Sequence, residues 1–499
     1  MKPNIFFLNL DSIRSDKFIG KTKTAITPNL DKLIKNGTYF SQCISSGDGT
    51  VISLNAIFNA QFPFRIGTRA ETIILKNNNC FETLKKSGYK IYGFVPDMLA
   101  LTKFLNYCEN ENAGCRFIRQ RKKLDMEGIL DGLGEKVIEL LDSSKMKEPW
   151  FFFTHAEDLH FPLAVPKEFD NEIFGYSSYE WVLSALYQWI GNFLEKIDTS
   201  NTLILISGDH GHLIPFENKG TRDFEPKMKT GLKLGKKIMP KLTHKIGAKM
   251  IIGLRNNIRD SRLKKANEGL TPYQKRSRLP HTTLSLYEEI VHVPLFFAGV
   301  NIPKNKIIHD LVRSVDIFPT IFNILGIDDS TLKDKDGRSL VPMLEDKKLQ
   351  ELSAYFITNP HKEITLDDKI GIRTSKHKYF RASIDKEKEI NLYELENDPQ
   401  ENNNIASENP EIVKEMEGIL EKLTKNVTID ESEKLTEDQE KIIEKQLKEM
   451  GYIWNFYCTL GTNLHILLTD ELFSKHEKKC YNFNDWWCAF RLHIKIFYF

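Results

Sequence analysis

The chain has 499 residues, 41% hydrophobic and 28% charged, enough for one large domain with an appendage or for two to three domains, each burying a sizeable core. That composition is ordinary for a globular protein, and a formal net charge of +2 advertises no polyanionic partner for the molecule as a whole. Seven cysteines, an odd number, fit thiols in a reducing compartment better than a disulfide framework.

Taken in chain order, the N-terminus runs at once into Ile5–Leu8, an apolar stretch too short for a secretory signal and stopped by Asn9 and Asp11. No window approaches the ~20 apolar residues of a membrane span, so a cytoplasmic location is expected. Ile5–Leu10 reads as a buried strand ending at Asp11, and Pro28–Asn36 as a helix closed by Gly37. A helix over Cys80–Lys86 precedes a strand over Lys90–Val95, and a helix over Glu135–Leu141 precedes the fully apolar strand Trp150–Thr154. Tyr179–Ile197 is a long amphipathic helix, followed by the strand Thr202–Ser207 and then by Gly208-Asp209-His210-Gly211. Alternation of this kind predicts an α/β sheet with helices on both faces. Three strand ends deliver polar clusters: Asp11, then His155, Asp158 and His160, then Asp209 and His210. Ligands gather at such ends in doubly wound sheets.

Residues 217–280 stand apart, with 18 Lys/Arg against five Asp/Glu, an excess of 13 positive charges. Lys233–Lys249 mixes apolar residues with lysines, which suits a peripheral membrane contact or a lid that steers an anionic substrate, as well as a merely solvated insertion. Aromatic residues are sparse there, so nucleic acid is not expected as a partner. Val293–Phe297 returns to strand character and Ser314–Leu325 is helical. The resulting division is a catalytic domain over 1–345 carrying the insertion 217–280, a smaller α+β domain over 346–430, and a charged helix (Glu433–Met450) with an unassigned aromatic-rich tail over 431–499. Cys80, Cys108 and Cys115 read as ordinary thiols, and Cys458, Cys480 and Cys488 lack zinc-ligand spacing.

Transfer of a phosphoryl or sulfuryl group needs an oxygen nucleophile held in line and cations that neutralise the equatorial oxygens. An Asp at one strand end, an Asp-His pair at another and a Ser/Thr at a helix start would supply the parts, and Asp11, Asp209-His210 and Thr50 stand in those places. Each alone has an ordinary reading, since an Asp after a strand commonly closes a turn and a Thr at a helix start commonly caps it. Their order and company point to a site.

Longer motifs carry the argument further. Asn4–Asp16 (NIFFLNLDSIRSD), Thr27–Asp31 (TPNLD), Asn36–Phe40 (NGTYF), Ser207–Gly211 (SGDHG), Leu286–Leu295 (LYEEIVHVPL), Val315–Thr320 (VDIFPT), Asp336–Leu340 (DGRSL) and Asn391–Glu401 (NLYELENDPQE) occur in one order. Over residues 3 to 453 the chain resembles the sulfatase family within the alkaline phosphatase superfamily. The resemblance implies a central mixed β-sheet flanked by helices, with a smaller C-terminal α+β domain. It also implies Asp11, Thr50, Asp209 and His210 as metal ligands.

Counting back from Phe62-Pro63, similar to the family's "GRYP" turn, puts Thr50 on the nucleophile position. Sulfatases carry Cys or Ser there, with Pro two and Arg four positions on, where this chain has Ile52 and Leu54. No formylglycine can form from threonine. Ser46–Leu54 instead resembles the threonine sites of phosphoethanolamine and phosphoglycerol transferases, in which threonine passes a phosphoryl group, so phosphate is favoured over sulfate. Ser12 is a second departure, since many calcium-dependent sulfatases have a further Asp there. Fewer carboxylates plus imidazole favour zinc or manganese over calcium or magnesium. His160-Phe161-Pro162 resembles the family's "HxP" element, whose histidine contacts the ester, with His155 as the alternative. Asp158 is offered as its partner or as support for a second metal, His212 as an orienting residue and His281 as a second catalytic histidine facing the substrate. The resulting expectation is a metal-dependent hydrolase or transferase for a small-molecule, glycan or lipid-head-group ester. Alternatives are a sulfuric ester hydrolase using threonine directly, or a binding descendant without turnover.

Overall fold

The computed structural model describes residues 2–20, 22–67, 72–75, 79–115, 118–120, 123–125, 128–142, 145–226, 244–280, 283–330, 335–359, 364–425, 441–442 and 445. These belong to one compact unit, Met1–Glu449, and the second unit, Met450–Phe499, lies outside them, as does nearly all of the helix expected over Glu433–Met450.

Eight strands form the main sheet: β1 (Asn4–Leu10), β2 (Gly37–Ile44), β3 (Lys90–Pro96), β4 (Gly114–Cys115), β5 (Trp150–Ala156), β6 (Thr202–Gly208), β7 (His292–Gly299) and β8 (Lys306–Arg313). Their spatial order is β8-β2-β7-β6-β1-β5-β3-β4. All run parallel except β7, which is antiparallel to both neighbours, so the sheet is mixed, as expected.

The period of two in β1 divides its side chains between two cores. Ile5 and Phe7 join Phe151, Phe153, Leu203 and Leu205 on one face, under the helices Thr50–Asn59, Cys80–Lys86 and Ile317–Leu325. Phe6, Leu8 and Leu10 join Phe152, Ile204 and Ile206 on the other, under Pro28–Lys35, Leu133–Asp142 and Ser178–Lys196. Burial on both faces explains why these strands read as continuous apolar runs.

Four antiparallel strands, β9 (Ala354–Ile357), β10 (Lys369–Arg373), β11 (His377–Ala382) and β12 (Asn391–Glu394), make a second sheet. Tyr355, Ile372, Tyr379 and Leu392 pack under the helix Pro410–Thr424, while Phe356, Phe380 and Tyr393 face Leu286, Ile290 and Val291 of the body. Gly47 bridges to Ile357, so the edge of this sheet touches the turn before Thr50.

One expectation needs correction, and one strand went unread. Gly37 does not close the preceding helix but opens β2: a Cβ there would stand 2.2 Å from the carbonyl oxygen of Phe297 on β7, and only glycine permits that approach. Strand β8 escapes a period-two reading because its pairing slips between Ile308 and Leu311, where His309 and Asp310 turn outward. In the basic insertion, residues 227–243 lie outside the description; a helix spans His244–Ala266. Among the described residues no helix is long and apolar enough to cross a membrane.

Candidate active site

The parallel strands β5, β1 and β6 lie side by side and end together. Their register pairs Asn9 with both His155 and Ser207, so the residues just beyond, Asp11 and Asp209, emerge beside His155. The Asp11 N–H donates to the Ala156 carbonyl at 2.9 Å, which fixes the exit of β1. Ser12 then adopts φ 60, rare outside glycine, and accepts this geometry with its hydroxyl donating to Asp11 Oδ1 at 2.8 Å. Tyr179 straps the same loop by donating its hydroxyl to the Ser12 carbonyl at 2.8 Å. Gly211 is needed after the second loop, since a Cβ there would meet the Glu289 carbonyl oxygen at 2.1 Å.

Asp11, His155 and Asp209 each turn one ligand atom into a common space, all within 4.8 Å of one another, and all three are buried. His155 Nε2 stands 3.6 Å from Asp11 Oδ2, too far for a hydrogen bond, and His210 Nε2 stands 3.3 Å from Asp11 Oδ1 and 3.7 Å from Asp209 Oδ2. Both His155 Nε2 and Asp209 Oδ2 are buried without a hydrogen-bond partner. Such orphaned atoms are costly unless something fills the space between them.

The electrostatics say what that is. Burial would raise the Asp11 carboxyl, but the imidazoles of His155, His210 and His160 reverse this and hold it well below the usual carboxylate range. Burial and the neighbouring Asp11 charge push Asp209 up. Burial would lower His210, yet the charges of Asp209 and Asp11 raise it. Two buried carboxylates thus compete for positive charge, and a divalent cation meets that demand. Asn9 Nδ2 meets His155 Nδ1 at 2.8 Å while Asn9 Oδ1 has no partner. With the amide turned over, Oδ1 accepts Nδ1–H and Nε2 keeps its lone pair for a metal. The residues fit a divalent ion.

Thr50 is the first residue of the helix Thr50–Asn59, after Gly49. Its Oγ1 lies 3.5 Å from His210 Nε2, at the outer limit of a hydrogen bond, so the geometry brings Thr50, Asp11, Asp209 and His210 together. Ser45 Oγ packs against the Asp209 carbonyl and Ser53 Oγ, tying the threonine turn to the second loop. Asp48 accepts N–H groups from Ser285 at 3.1 Å and Asn359 at 2.6 Å.

The remaining expected residues fall out differently. His160 is buried in the loop after β5, near enough to bias Asp11. Next to it, Phe161 stacks on His212 with ring centres 4.7 Å apart. The two oxygens of Asp158 accept the Ile129 and Leu130 N–H groups, both at 2.9 Å. Burial nonetheless pushes it up to about 6. His281 lies outside the described residues. In the insertion, Arg276 is buried against Glu289 at 2.8 Å and Arg278 reaches Glu217 at 3.2 Å, so part of the basic charge is spent within the fold. His155 joins the cluster although the sequence offered it only as an alternative to His160; its signal was its place opposite Asn9, two residues before Asp11.

Comparison with known proteins agrees. Arylsulfatase K of Mus musculus is 33% identical over 135 residues, 26% of this chain and 24% of that protein. The match thus spans about a quarter of the curated relative. A solved 2-O GAG sulfatase superposes with a TM-score of 0.57 at 15% identity, covering 86% of this chain and 95% of the other. The phosphonate monoester hydrolase of Agrobacterium radiobacter superposes with a TM-score of 0.59 at 14% identity, covering 88% and 99%. Residues 283–427 match the family "N-sulphoglucosamine sulphohydrolase, C-terminal". Residues 3–327 match the family "Sulfatase", and with that match spanning well over half of its length the chain belongs to the sulfatase family.

Proposed function

We propose that this protein is a metal-dependent hydrolase or transferase of phosphate esters, in preference to sulfate esters, with Thr50 as its nucleophile. The observation that carries the reading is the position of Thr50 at a helix N-terminus, 3.5 Å from His210, beside two buried, unsatisfied ligand atoms. Asp11, His155, Asp209 and His210 would hold a divalent ion with Thr50 as a further ligand, and zinc or manganese suits that set. Such an ion supplies positive charge at the ester oxygens and lowers the pKa of a nearby hydroxyl. Thr50 Oγ1, its proton released to water, forms a bond to phosphorus as the ester P–O bond breaks. His160 gives the departing oxygen a proton. Water or an acceptor alcohol then takes the phosphoryl group, and Thr50 is regenerated. The substrate class proposed is a small-molecule, glycan or lipid-head-group ester.

Threonine supports phosphorus over sulfur because it cannot become the formylglycine that sulfatases use, and the fold itself is shared by a sulfatase and a phosphonate monoester hydrolase. The test is turnover of nitrophenyl phosphate, bis-nitrophenyl phosphate and nitrophenyl sulfate after metal removal and re-addition of zinc, manganese, magnesium or calcium. Phosphate-ester turnover that needs metal and falls at least ~10³-fold in Thr50→Ala is expected. Turnover confined to the sulfate ester would overturn the preference for phosphorus.

A further inference from the structure

We propose that Asp48 is a positioning residue for Thr50, through which the C-terminal sheet holds the nucleophile turn in place; this rests on the reading of Thr50 as nucleophile. Ile52 and Leu54, in the first turns of the helix that begins at Thr50, are both buried in apolar cores and offer the nucleophile no polar support. Polar support must come from elsewhere. On one side Ser45 meets Asp209 and Ser53. Beside the Ser45 N–H bond to the Val291 carbonyl at 2.7 Å and the Ser46 Oγ–Ser314 Oγ approach at 3.5 Å, three bonds come from the C-terminal sheet and the loop before Tyr287: Ile357 N–H donates to the Ser46 carbonyl at 3.1 Å, and Asp48 accepts N–H groups from Asn359 at 2.6 Å and Ser285 at 3.1 Å.

Asp48 is the one side chain in those three bonds. Its two oxygens reach two different segments, the end of β9 and the loop before Tyr287, and gather both around a turn only two residues from Thr50. The fit is close on either side of it. A Cβ on Gly47 would stand 2.3 Å from Ile52 Cγ2 and 3.1 Å from the Ile357 oxygen, and one on Gly49 would stand 2.7 Å from Asn359 Nδ2. With both flanking glycines pressed against these neighbours, the bonds to Asp48 decide where the first turn of the helix begins. Among the described residues, the polar contact that holds the Thr50 hydroxyl is the 3.5 Å approach to His210. A displacement of about 1 Å at a nucleophile can cost on the order of 10²-fold in rate.

The experiment compares wild type, Asp48→Asn and Asp48→Ala as full-length, metal-loaded protein. Hydrogen exchange is read over residues 46–54, where the Ser53 N–H bonds the Gly49 oxygen at 3.1 Å. Steady-state kinetics on bis-nitrophenyl phosphate and the affinity for zinc and manganese complete the set. Expected are exchange at least ~10-fold faster over 46–54 in Asp48→Ala, kcat down ~10- to 100-fold with KM within ~3-fold, metal affinity falling less than in His155→Ala, and an intermediate Asp48→Asn that keeps one acceptor. Exchange over 46–54 equal to wild type overturns the proposal, as does a loss carried by KM, which would make Asp48 a substrate contact. If wild type turns over no ester, the function reading fails while hydrogen exchange still decides on Asp48.

Discussion

His155 illustrates how its surroundings free one atom of a single side chain. It sits one residue from the end of a strand of phenylalanines, opposite Asn9, and its Nε2 faces Asp11 and Asp209 with no hydrogen-bond partner of its own. Metal at 100 times its Kd should stabilise the folded protein by about 2.7 kcal/mol. We expect that increment, measured by denaturant unfolding with and without zinc, to vanish in His155→Ala. In Asn9→Ala the ring would lose the amide that fixes its tautomer, and metal affinity by calorimetry should fall about 10- to 100-fold. An Asn9→Ala protein with wild-type affinity would remove His155 from the ligand set. Much of this was visible in the sequence, because Asp11, Thr50, Asp209 and His210 lie in motifs whose order is itself informative. His155 stood there only as the alternative to His160, since a histidine near a strand end shows its value only once strand register sets its neighbour.

At the scale of elements, the loop after β5 does two jobs. It carries His160 toward the cluster, and it uses Asp158 to hold the turn Ile129–Asp131, where a Cβ on Gly128 would stand 2.4 Å from Asp158 Oδ1. The sequence could not separate Asp158 from the catalytic residues, because its partners are backbone groups some 28 residues earlier, with no side-chain signature. Its titration does separate it. Burial raises its carboxyl from 3.8 to about 6, so below about pH 4 it is protonated in folded and unfolded states alike and costs nothing. As pH rises through 4 to 6 the unfolded chain ionises first, and stability falls by about 3 kcal/mol across that window, remaining lower above it. We expect Asp158→Asn to flatten the unfolding free energy between pH 4 and 6 by roughly that amount. An unchanged pH slope would mean the two N–H bonds outweigh burial.

Across the described unit as a whole, two kinds of contact join the C-terminal sheet to the body that bears Asp11 and Asp209. Apolar packing supplies one part, through Phe356 and Phe380 against Leu286 and Ile290. The other part is a buried charge network that no hydrophobic pattern announces. Lys378 is fully buried on β11, with Nζ 3.2 Å from Glu288 and 3.1 Å from Glu401, over the ring of Phe356 at 5.5 Å. Glu401 in turn accepts the Glu288 N–H at 2.6 Å, and Arg276 from the insertion stacks 4.1 Å above Tyr287 while pairing with Glu289. Burial, with the charges of Glu288 and Glu289 adding to it, pushes Glu401 up to about 7 even against Lys378. The network therefore balances only while its cations are present. Removing Lys378 should cost more than the pair itself is worth, because Glu401 is left buried with only Arg276 at 3.8 Å, while Glu288 keeps Arg373 at 3.1 Å. Lys378→Met is expected to lose about 3–5 kcal/mol in denaturant unfolding at pH 7. Adding Glu401→Gln should restore part of that loss, since the stranded charge goes with it. If Lys378→Met loses less than about 1 kcal/mol, the apolar contacts alone join the sheet to the body, and the charges set only which segments meet.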